Sequence, residues 1–498
     1  MIELIDKGVY LLDGERIAEN TQGLHAPAEA RENTIAYQIL RAHDDEGAKK
    51  CDKMHIRFDA MMSHDITYVG IIQTARASGL EKFPIPYALT NCHNSLCAVG
   101  GTINEDDHVF GLSAAKKYGG IYVPANQAVI HQYAREAMTA CGNMILGSDS
   151  HTRYGSLGNM GVGEGGGELV KQLLRNTWDI QAPEVVLVWL EGAPRKGIGP
   201  HDVAISLVKA VFDNGFVKNK VLEFAGPGVK TLPIDVRHGI DLMTTETTCL
   251  SSIWVTDDEV RRHYEIHRRP EAYRELKPGN VAYYDSMIRI DLSAQESMIA
   301  LPFHPSNAYT IHELQADPER ILREVEEDAR RRFGDKVEVD LVGKIRDGKV
   351  MADQGIIAGC SGGTYDNLAE AASILKGGSV GNDYFTISAY PQSTPVYMAA
   401  TRDGIASELI EAGVVIKPAF CGPCFGAGDV PANNGLSIRH TTRNFPNREG
   451  SKPGQGQISM VALMDARSIA ATAANGGVIT AATDEEYTNE HRPYEVDE

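Results

Sequence analysis

The sequence contains few cysteines, eight among 498 residues. So sparse a set excludes a disulfide-stapled scaffold and favours a reducing compartment, where grouped cysteines usually serve metal or redox chemistry. Long apolar runs are also missing. The stretch at 185–190 is among the longest, whereas a helix that crosses a bilayer needs about 20 apolar residues. We therefore expect no membrane-spanning segment.

The chain is also short of positive charge, with 48 Lys and Arg against 67 Asp and Glu and a formal net charge of −19. An acidic surface repels a phosphate backbone, which argues against nucleic acid as a partner. Residues 1–20 carry acids early and lack a basic region before an apolar run, so they do not resemble a secretory signal. These features together predict a cytoplasmic protein.

At about 100–200 residues per domain, a chain of this length should hold about three domains. Short apolar strands alternate with helical segments, a pattern typical of largely parallel α/β sheets. We expect three α/β domains and a tail, with the boundaries 1–192, 193–318, 319–482 and 483–498. The last segment is acidic and polar without a core pattern, as expected of a linker or a disordered end.

Local patterns place individual elements along the chain. Helical periodicity predicts helices, apolar runs predict buried strands, and a glycine-rich stretch at 155–167 predicts a loop. The predicted helices are 126–141, 168–176 and 317–335, and the predicted strands are 143–149 and 184–192. The spacing Gly161-x-Gly163-x-x-Gly166 formally matches a dinucleotide fingerprint, but the loop does not follow its strand directly, so the pattern is weak evidence for a nucleotide.

Three cysteines form the strongest chemical signal. Cys421 and Cys424 stand in a Cys-x-x-Cys turn, and Cys360 follows an apolar strand and precedes a helix. Such a set could be half of a zinc site, although the sequence has no second Cys-x-x-Cys, or a redox pair, although no helix begins directly at the turn. It also fits an iron–sulfur cluster that leaves one iron without a protein thiolate.

Polar residues suited to acid–base chemistry follow a predicted strand. Asp149 and His151 lie at its carboxyl end, where α/β sheets place ligands, and His131 lies on the preceding helix. A carboxylate that orients an imidazole supports proton transfer. Arginines that suit bidentate binding of carboxylates follow the cysteine turn, namely Arg439, Arg443 and Arg448.

Four motifs occur in a fixed order along the chain: GSDSHT at 147–152 with its glycine-rich loop, GCSGGTYDN at 359–367, CGPCFG at 421–426 and TTRNFPNRE at 441–449. Together they resemble the aconitase and isopropylmalate isomerase superfamily, and weaker matches extend the resemblance over residues 50–480. The resemblance implies three α/β domains packed around a [4Fe–4S] cluster. It also implies a hydro-lyase that acts on a small hydroxy di- or tricarboxylic acid.

The resemblance also implies roles for single residues. The family's three cluster ligands match Cys360, Cys421 and Cys424, which would leave one iron free to act as a Lewis acid on a substrate hydroxyl. The histidine that protonates the departing hydroxyl matches His93. Positions for a carboxylate–imidazole pair and for the residues around the iron-bound water match Asp149, His131, His151 and Glu246. Positions that contact substrate match His64, Ser150, Arg443 and Arg448.

The chain departs from the family pattern near the expected substrate. The aconitases have an aspartate before the matching histidine, where this chain has Cys92, and a thiol is a poorer charge partner for His93. The segment GCSGGT replaces a Cys-Thr-Asn-Ser segment, and Thr442 stands in place of an asparagine. The resemblance therefore does not assign citrate or isocitrate as the substrate.

Family members also carry a swivelling domain, on the same chain or as a small subunit, that supplies a serine base and further arginines. We expect no such domain after residue 482 of this sequence, so a second polypeptide or a longer chain would complete the site. The prediction is a hydro-lyase that needs a swivel domain or small subunit for full activity. The alternative is a non-catalytic protein on the same fold that senses iron or binds RNA.

Overall fold

The computed structural model describes residues 1–19, 22–45, 52–93, 101–334, 338–380, 385–446 and 451–496. Within this part of the chain the strands form three large sheets, here called sheets 1, 2 and 3, and three small ones. Helices lie between the strands along the chain, and they cover the sheets because strands that are buried on both faces need apolar cover.

Sheet 1 is a parallel sheet of five strands. Its strand order is Ile121–Val123, Tyr87–Thr90, Ala60–His64, Met144–Gly147 and Met160–Gly163. The three central strands are buried at every position, which explains why they stand out as short apolar runs. The helices that accompany these strands are Asp65–Ala77, Thr102–Tyr118, Ile130–Ala137 and Gly166–Leu173.

Sheet 2 has five strands, of which the first is antiparallel to its neighbour. The order is Ile2–Ile5, Ser286–Asp291, Val185–Glu191, Val221–Ala225 and Ser251–Trp254. The accompanying helices are Pro200–Val211, Ile234–Met243 and Asp258–Ile266. The fully buried carboxylate of Glu223 accepts hydrogen bonds from the backbone N–H of Ala36 at 2.9 Å and the hydroxyl of Tyr284 at 2.6 Å. Burial raises the pKa of Glu223 to about 7.

Sheet 3 has seven strands, parallel except for the two at one edge. The order is Ala308–Thr310, Met298–Ala300, Met460–Met464, Leu436–His440, Gln354–Ile357, Thr386–Ala389 and Val415–Ile416. The accompanying helices are Ile311–Ala316, Pro318–Phe333, Gly359–Gly362, Tyr365–Leu375, Thr394–Arg402, Ile405–Glu411 and Ala466–Ala474. The central strand Leu436–His440 and its neighbour Met460–Met464 are buried throughout.

The remaining elements are short. Two antiparallel pairs join Lys53–Ile56 with Trp178–Gln181 and Ile345–Arg346 with Lys349–Val350, and a third small sheet joins Val281–Tyr284, Val9–Leu12 and Arg16–Ile17. The helices Pro27–Arg31 and Ile35–His43 lie between Arg16–Ile17 and Lys53–Ile56 along the chain. None of the helices in the described part of the chain combines the length and the apolar character that crossing a bilayer requires. The cytoplasmic location stays a prediction.

The predicted α/β fold is confirmed, since all three large sheets are mainly parallel and alternate with helices. The strands of one sheet do not all come from one predicted domain. Ile2–Ile5 and Val185–Glu191 both pair with Ser286–Asp291 in sheet 2, and Met298–Ala300 and Ala308–Thr310 pair in sheet 3. The domain boundaries themselves stay predictions.

Two local elements differ from the prediction. The glycine-rich stretch contains a strand, Met160–Gly163, because glycines at two of its positions let it approach the 149–152 backbone closely. A Cβ on Gly161 would lie 2.9 Å from the carbonyl oxygen of Thr152. The predicted helix 126–141 is shorter, Ile130–Ala137, because Val129 is extended and donates its backbone N–H to the carbonyl oxygen of Gln392 instead.

The acidic tail lies against the protein. The hydroxyl of Tyr487 donates to Glu370 at 2.6 Å, and the ring of Tyr494 packs against that of Tyr365 with 5.3 Å between centroids. The expectation of a disordered end is therefore wrong for residues 483–496. A polar composition concealed the two aromatic side chains that anchor this segment to the helix Tyr365–Leu375.

Candidate active site

Most of the predicted site residues lie just past the carboxyl ends of parallel strands, the edge where open α/β sheets bind ligands. Sheet 1 contributes His64, Cys92, His93, Asp149, Ser150 and His151, and sheet 3 contributes Cys360, Cys421, Cys424 and Arg443. His131 lies on the helix Ile130–Ala137, and Glu246 lies on the 3₁₀ turn Thr244–Thr247. Elements far apart in sequence therefore meet at one place.

Asp149 is the centre of the site, because four imidazoles surround its carboxylate. Nε2 of His131 lies 3.1 Å from Oδ1, and Nε2 of His93 and of His64 lie 3.5 and 3.8 Å from Oδ2. The backbone N–H of His151 donates to Oδ1 at 2.8 Å, and its ring Nδ1 lies 3.5 Å from the same oxygen. The structure thus brings five predicted residues into one cluster.

Burial and neighbouring charges give the members of this cluster different protonation states. Burial raises the pKa of Asp149, but the surrounding imidazoles outweigh it and hold the pKa well below its usual range. Burial lowers the pKa of His93, yet the charges of Cys92 and Asp149 raise it to about 10. Burial and the neighbouring His93 lower the pKa of His64 to about 3. Near neutral pH the cluster therefore holds an ionised carboxylate, a protonated His93 and a neutral His64.

Glu246 links the cluster to Arg443. Its Oε1 accepts from Nε of Arg443 at 2.7 Å and lies 2.7 Å from Nε2 of His151. Burial raises the pKa of Glu246, but His151 and Arg443 lower it below its usual value. A single charged oxygen therefore orients both side chains.

A cavity of about 380 Å³ opens beside the cluster. Its lining includes His64, Asp149, Ser150 and residues 163–165. Ser150 is exposed at this position, and its backbone carbonyl accepts a hydrogen bond from the hydroxyl of Thr245 at 3.0 Å. A cavity of this size admits a small organic acid.

The three predicted cluster cysteines come from two segments of sheet 3. Cys360 lies just past the carboxyl end of the strand Gln354–Ile357, Cys421 directly precedes the turn Gly422–Cys424, and Cys424 ends it. Gly359 has a φ of +72°, and a Cβ there would lie 2.7 Å from Sγ of Cys424, so the close approach of the two segments requires glycine. Cys360 and Cys421 are buried in one apolar cluster.

This donor set suits a cluster of iron and sulfide. Iron–sulfur clusters are held by cysteine thiolates, and the segments that carry these three thiols approach closely here, with two of the thiols in apolar surroundings. Among the described residues, the sets of three donor atoms within 4.8 Å of one another belong to Cys92, His93 and Cys421 and to His64, His93 and Asp149. Cys360, Cys421 and Cys424 are not one of these sets, and the thiolates of an iron–sulfur cluster bind different irons, so they need not converge on one point.

Two residues that hold the site together were missed by sequence reasoning. Oδ1 of Asp65 accepts the backbone N–H of His93 at 3.0 Å, and the hydroxyl of Tyr154 lies 3.0 Å from Nδ1 of His131. Asp65 stands at the start of a helix, where an acid is already favoured by the helix dipole, so its sequence position does not reveal the second role. No pattern in the sequence indicates a role for Tyr154.

The predicted arginine cluster divides in the structure. Arg443 lies in the site, but Arg439 is fully buried and donates to the carbonyl oxygens of Pro423 at 2.6 Å and Asp429 at 2.8 Å. The prediction of Arg439 as a carboxylate binder is therefore wrong, because its guanidinium braces the segment around the cysteine turn. Arg448 lies outside the described residues, and its role stays a prediction.

Comparison with known proteins agrees with this geometry. The family model described as "Aconitase family (aconitate hydratase)" matches residues 37–471, which is most of the chain. The chain therefore belongs to the aconitase family, and the resemblance drawn from the motifs is confirmed. By family it is an aconitase-like hydro-lyase.

Curated relatives match over nearly their whole length. The 3-isopropylmalate dehydratase large subunit of Elusimicrobium minutum is 27% identical and covers 86% of this chain and 95% of its own. Large subunit 2 from Rubrobacter xylanophilus is 29% identical over 91% of this chain and 98% of its own. Among solved structures, holo-form aconitase X of Thermococcus kodakaraensis is 12% identical with a TM-score of 0.40 over 86% of this chain and 98% of its own, and we base no argument on it.

Proposed function

We propose that this chain is the larger catalytic portion of an iron–sulfur hydro-lyase that acts on a small hydroxy di- or tricarboxylic acid. The observation that carries the proposal is the group of four imidazoles around the carboxylate of Asp149, beside a cavity of about 380 Å³. The relatives named as dehydratase large subunits support the reaction class.

Cys360, Cys421 and Cys424 would hold a [4Fe–4S] cluster at the edge of sheet 3. When bound, the cluster supplies an iron without a protein thiolate, whose Lewis acidity weakens a carbon–oxygen bond. A buried arginine of the chain holds the backbone at one of these cysteines in place. The fully buried guanidinium of Arg135 donates to the carbonyl oxygen of Cys360 at 3.0 Å and so fixes the strand end that carries this ligand.

Elimination of water requires a proton donor at the leaving hydroxyl, and His93 is suited to that role. The charges around His93 raise its pKa, so Nε2 keeps a proton that can be transferred. Asp149 lies 3.5 Å from this nitrogen and stabilises the imidazolium, while His131 orients the carboxylate from its other oxygen. His64 stacks on His93 at 3.8 Å between ring centroids and remains neutral, so it does not compete for the carboxylate's charge.

Arg443 and Ser150 are suited to bind the substrate's carboxylates. Glu246 engages Nε of Arg443, which leaves the terminal guanidinium nitrogens for a bidentate contact with a carboxylate. Ser150 offers a hydroxyl at the mouth of the cavity. An anionic substrate needs such local groups because the chain as a whole carries a formal charge of −19.

We propose that a second polypeptide completes this site. The cavity is open on one side, where Ser150 is exposed to solvent rather than covered by the described part of the chain. The matched relatives are named large subunits, a name that implies a smaller counterpart. Such a partner would cover the substrate and supply the base that removes the carbon-bound proton.

The test is turnover by the full chain, purified without oxygen and supplied with its partner subunit. A panel of hydroxy di- and tricarboxylic acids, 3-isopropylmalate included, is assayed through the ultraviolet absorbance of the unsaturated product. We expect turnover of at least one acid, and Asp149→Asn should lower it by about 10²–10⁴-fold while iron and sulfide are retained. His312→Asn, at a half-exposed histidine paired with Asp484, is the matched control and should behave like the parent. If the chain retains its iron–sulfur cluster and turns over none of these acids, the proposal is wrong.

A further inference from the structure

Three soft donors converge where a strand end of sheet 1 meets the cysteine turn of sheet 3. The Sγ atoms of Cys92 and Cys421 and a ring nitrogen of His93 lie within 4.8 Å of one another. Sγ of Cys92 lies 3.3 Å from Nδ1 of His93 and no more than 4.8 Å from Sγ of Cys421. This set shares Cys421 with the predicted cluster ligands but is otherwise distinct from them.

Backbone contacts hold these donors in place. The N–H of Cys421 donates to the carbonyl oxygen of Cys92 at 2.9 Å, so the two segments are tied together. The N–H of His93 donates to Oδ1 of Asp65 at 3.0 Å. The exposed fractions of Cys92 and Cys421 are 0% and 5%, so an ion bound between them would be shielded from bulk water.

His93 is also oriented as metal-binding histidines are. Its Nδ1 faces Cys92, and its Nε2, on the other side of the ring, lies 3.5 Å from Oδ2 of Asp149. Histidines that bind a metal through one ring nitrogen usually give the other N–H to a carboxylate, which fixes the tautomer and the ring orientation. Asp149 therefore stands where an orienting carboxylate belongs.

We propose that Cys92, His93 and Cys421 form a site for one zinc-class divalent cation, with the fourth coordination position open. Tetrahedral zinc, with bonds of about 2.3 Å to sulfur and about 2.0 Å to nitrogen, holds these two atoms about 3.6 Å apart. The separation of 3.3 Å between Cys92 and His93 is close to that value, so the donors need little movement. Because Cys421 is also a predicted cluster ligand, the cation and the cluster exclude each other.

This site goes beyond the proposed reaction and does not depend on it. Binding requires three donor atoms and would take place in a chain that catalyses nothing. Where the proposed reaction does take place, a bound cation holds His93 as a ligand and withdraws it from proton transfer. Cation binding and turnover are therefore measured separately.

The test uses Co²⁺ as a spectroscopic substitute for zinc in the full-length chain, freed of iron by a chelator without oxygen. Tetrahedral coordination by thiolate and imidazole gives intense visible d–d bands and a thiolate-to-cobalt charge-transfer band. We expect these bands to saturate at one Co²⁺ per chain and Zn²⁺ to displace the cobalt, since zinc binds such sites more tightly. A chain that carries its cluster should take up no Co²⁺, and uptake there would contradict the mutual exclusion.

Two cysteine variants distinguish this site from the cluster. Cys92→Ser should lose the cobalt bands but still accept iron and sulfide on reconstitution, whereas Cys424→Ser should do the reverse. Loss of the bands in Cys424→Ser with retention in Cys92→Ser would assign the ion to the cluster cysteines and overturn the proposal. The absence of tetrahedral bands in the parent chain would overturn it as well.

Asp149→Asn keeps all three donors and decides the question if Cys92→Ser does not fold. Removal of the carboxylate that faces Nε2 of His93 should weaken Co²⁺ binding by about 10–100-fold. An affinity equal to that of the parent would refute the assignment of His93 as a ligand through Nδ1. Cys141→Ser, at a buried thiol that contacts the carbonyl oxygen of Leu157, is the matched control and should bind Co²⁺ like the parent.

Discussion

Gly163→Ala tests how firmly the backbone around Asp149 has to be held. A Cβ on Gly163 would overlap the carbonyl oxygen of Asp149 and lie 2.9 Å from Cα of Ser150. Ordinary contact begins at 3.4 Å, so the backbone of Ser150 has to retreat by about 0.5 Å even before the overlap with Asp149 is relieved. Since both obstacles are backbone atoms, no change of side-chain rotamer removes the clash.

Catalytic groups have to lie within about 0.5 Å of their productive positions, and a misplacement of about 1 Å costs about 10²-fold in rate. We therefore expect Gly163→Ala to lower kcat/KM by at least about 10-fold. Overpacking should also lower the free energy of unfolding by about 1–3 kcal/mol. Gly167→Ala is the matched control, because its Cβ would meet nothing within 4 Å and Gly167 does not line the cavity.

The assay is the initial rate of dehydration with the partner subunit present, with chemical denaturation and iron analysis of the same samples. A Gly163→Ala variant with the kcat/KM of the parent would refute the claim that this wall positions Asp149. A fall in activity that merely follows a fall in the folded fraction would refute it too, because the clash would then act on folding alone.

Further predictions concern stability, substrate binding and metal content. Burial holds the folded-state pKa of Glu223 at about 7, above its ordinary value of 4.5. Ionisation of Glu223 therefore lowers the free energy of unfolding as the pH rises from about 4.5 to about 7, by about 3 kcal/mol in total. Glu223→Gln should therefore raise the denaturation midpoint at about pH 8 but not at about pH 4. An equal rise at both pH values would show that ionisation of Glu223 is not its cause. Arg443→Lys should raise KM by about 10-fold with a smaller change in kcat, because an ammonium reproduces neither the planar fork nor the Nε contact with Glu246; steady-state kinetics on the best acid of the panel checks this. Cys424→Ser should lose iron and sulfide, whereas the control Cys141→Ser should keep both. Iron and sulfide analysis of chains purified without oxygen tests this, and an equal content in the two variants would contradict the role of Cys424 as a ligand.

The sequence determined the features that local patterns carry. The apolar run at 185–190 becomes a strand, Val185–Glu191, that is buried along nearly its full length, as its composition predicts. The turn around Cys421 and Cys424 forms where its glycine and proline predict it, and the motifs identified the family that the comparison confirms. These features follow from neighbouring residues alone, so they can be recognised without knowing what packs against them.

Tertiary structure alone decided which chemistry-bearing residues meet. Arg439 and Arg443 stand four residues apart in one basic segment, yet one is buried against backbone carbonyls and the other pairs with Glu246. The ring of imidazoles around Asp149 joins residues that are up to 85 positions away along the chain. Cys92, which the sequence marks as a departure from the family, becomes a candidate ligand only because the turn with Cys421 folds back onto it. Burial and long-range hydrogen bonds set the partners and the pKa of each group, and no pattern of adjacent residues encodes them.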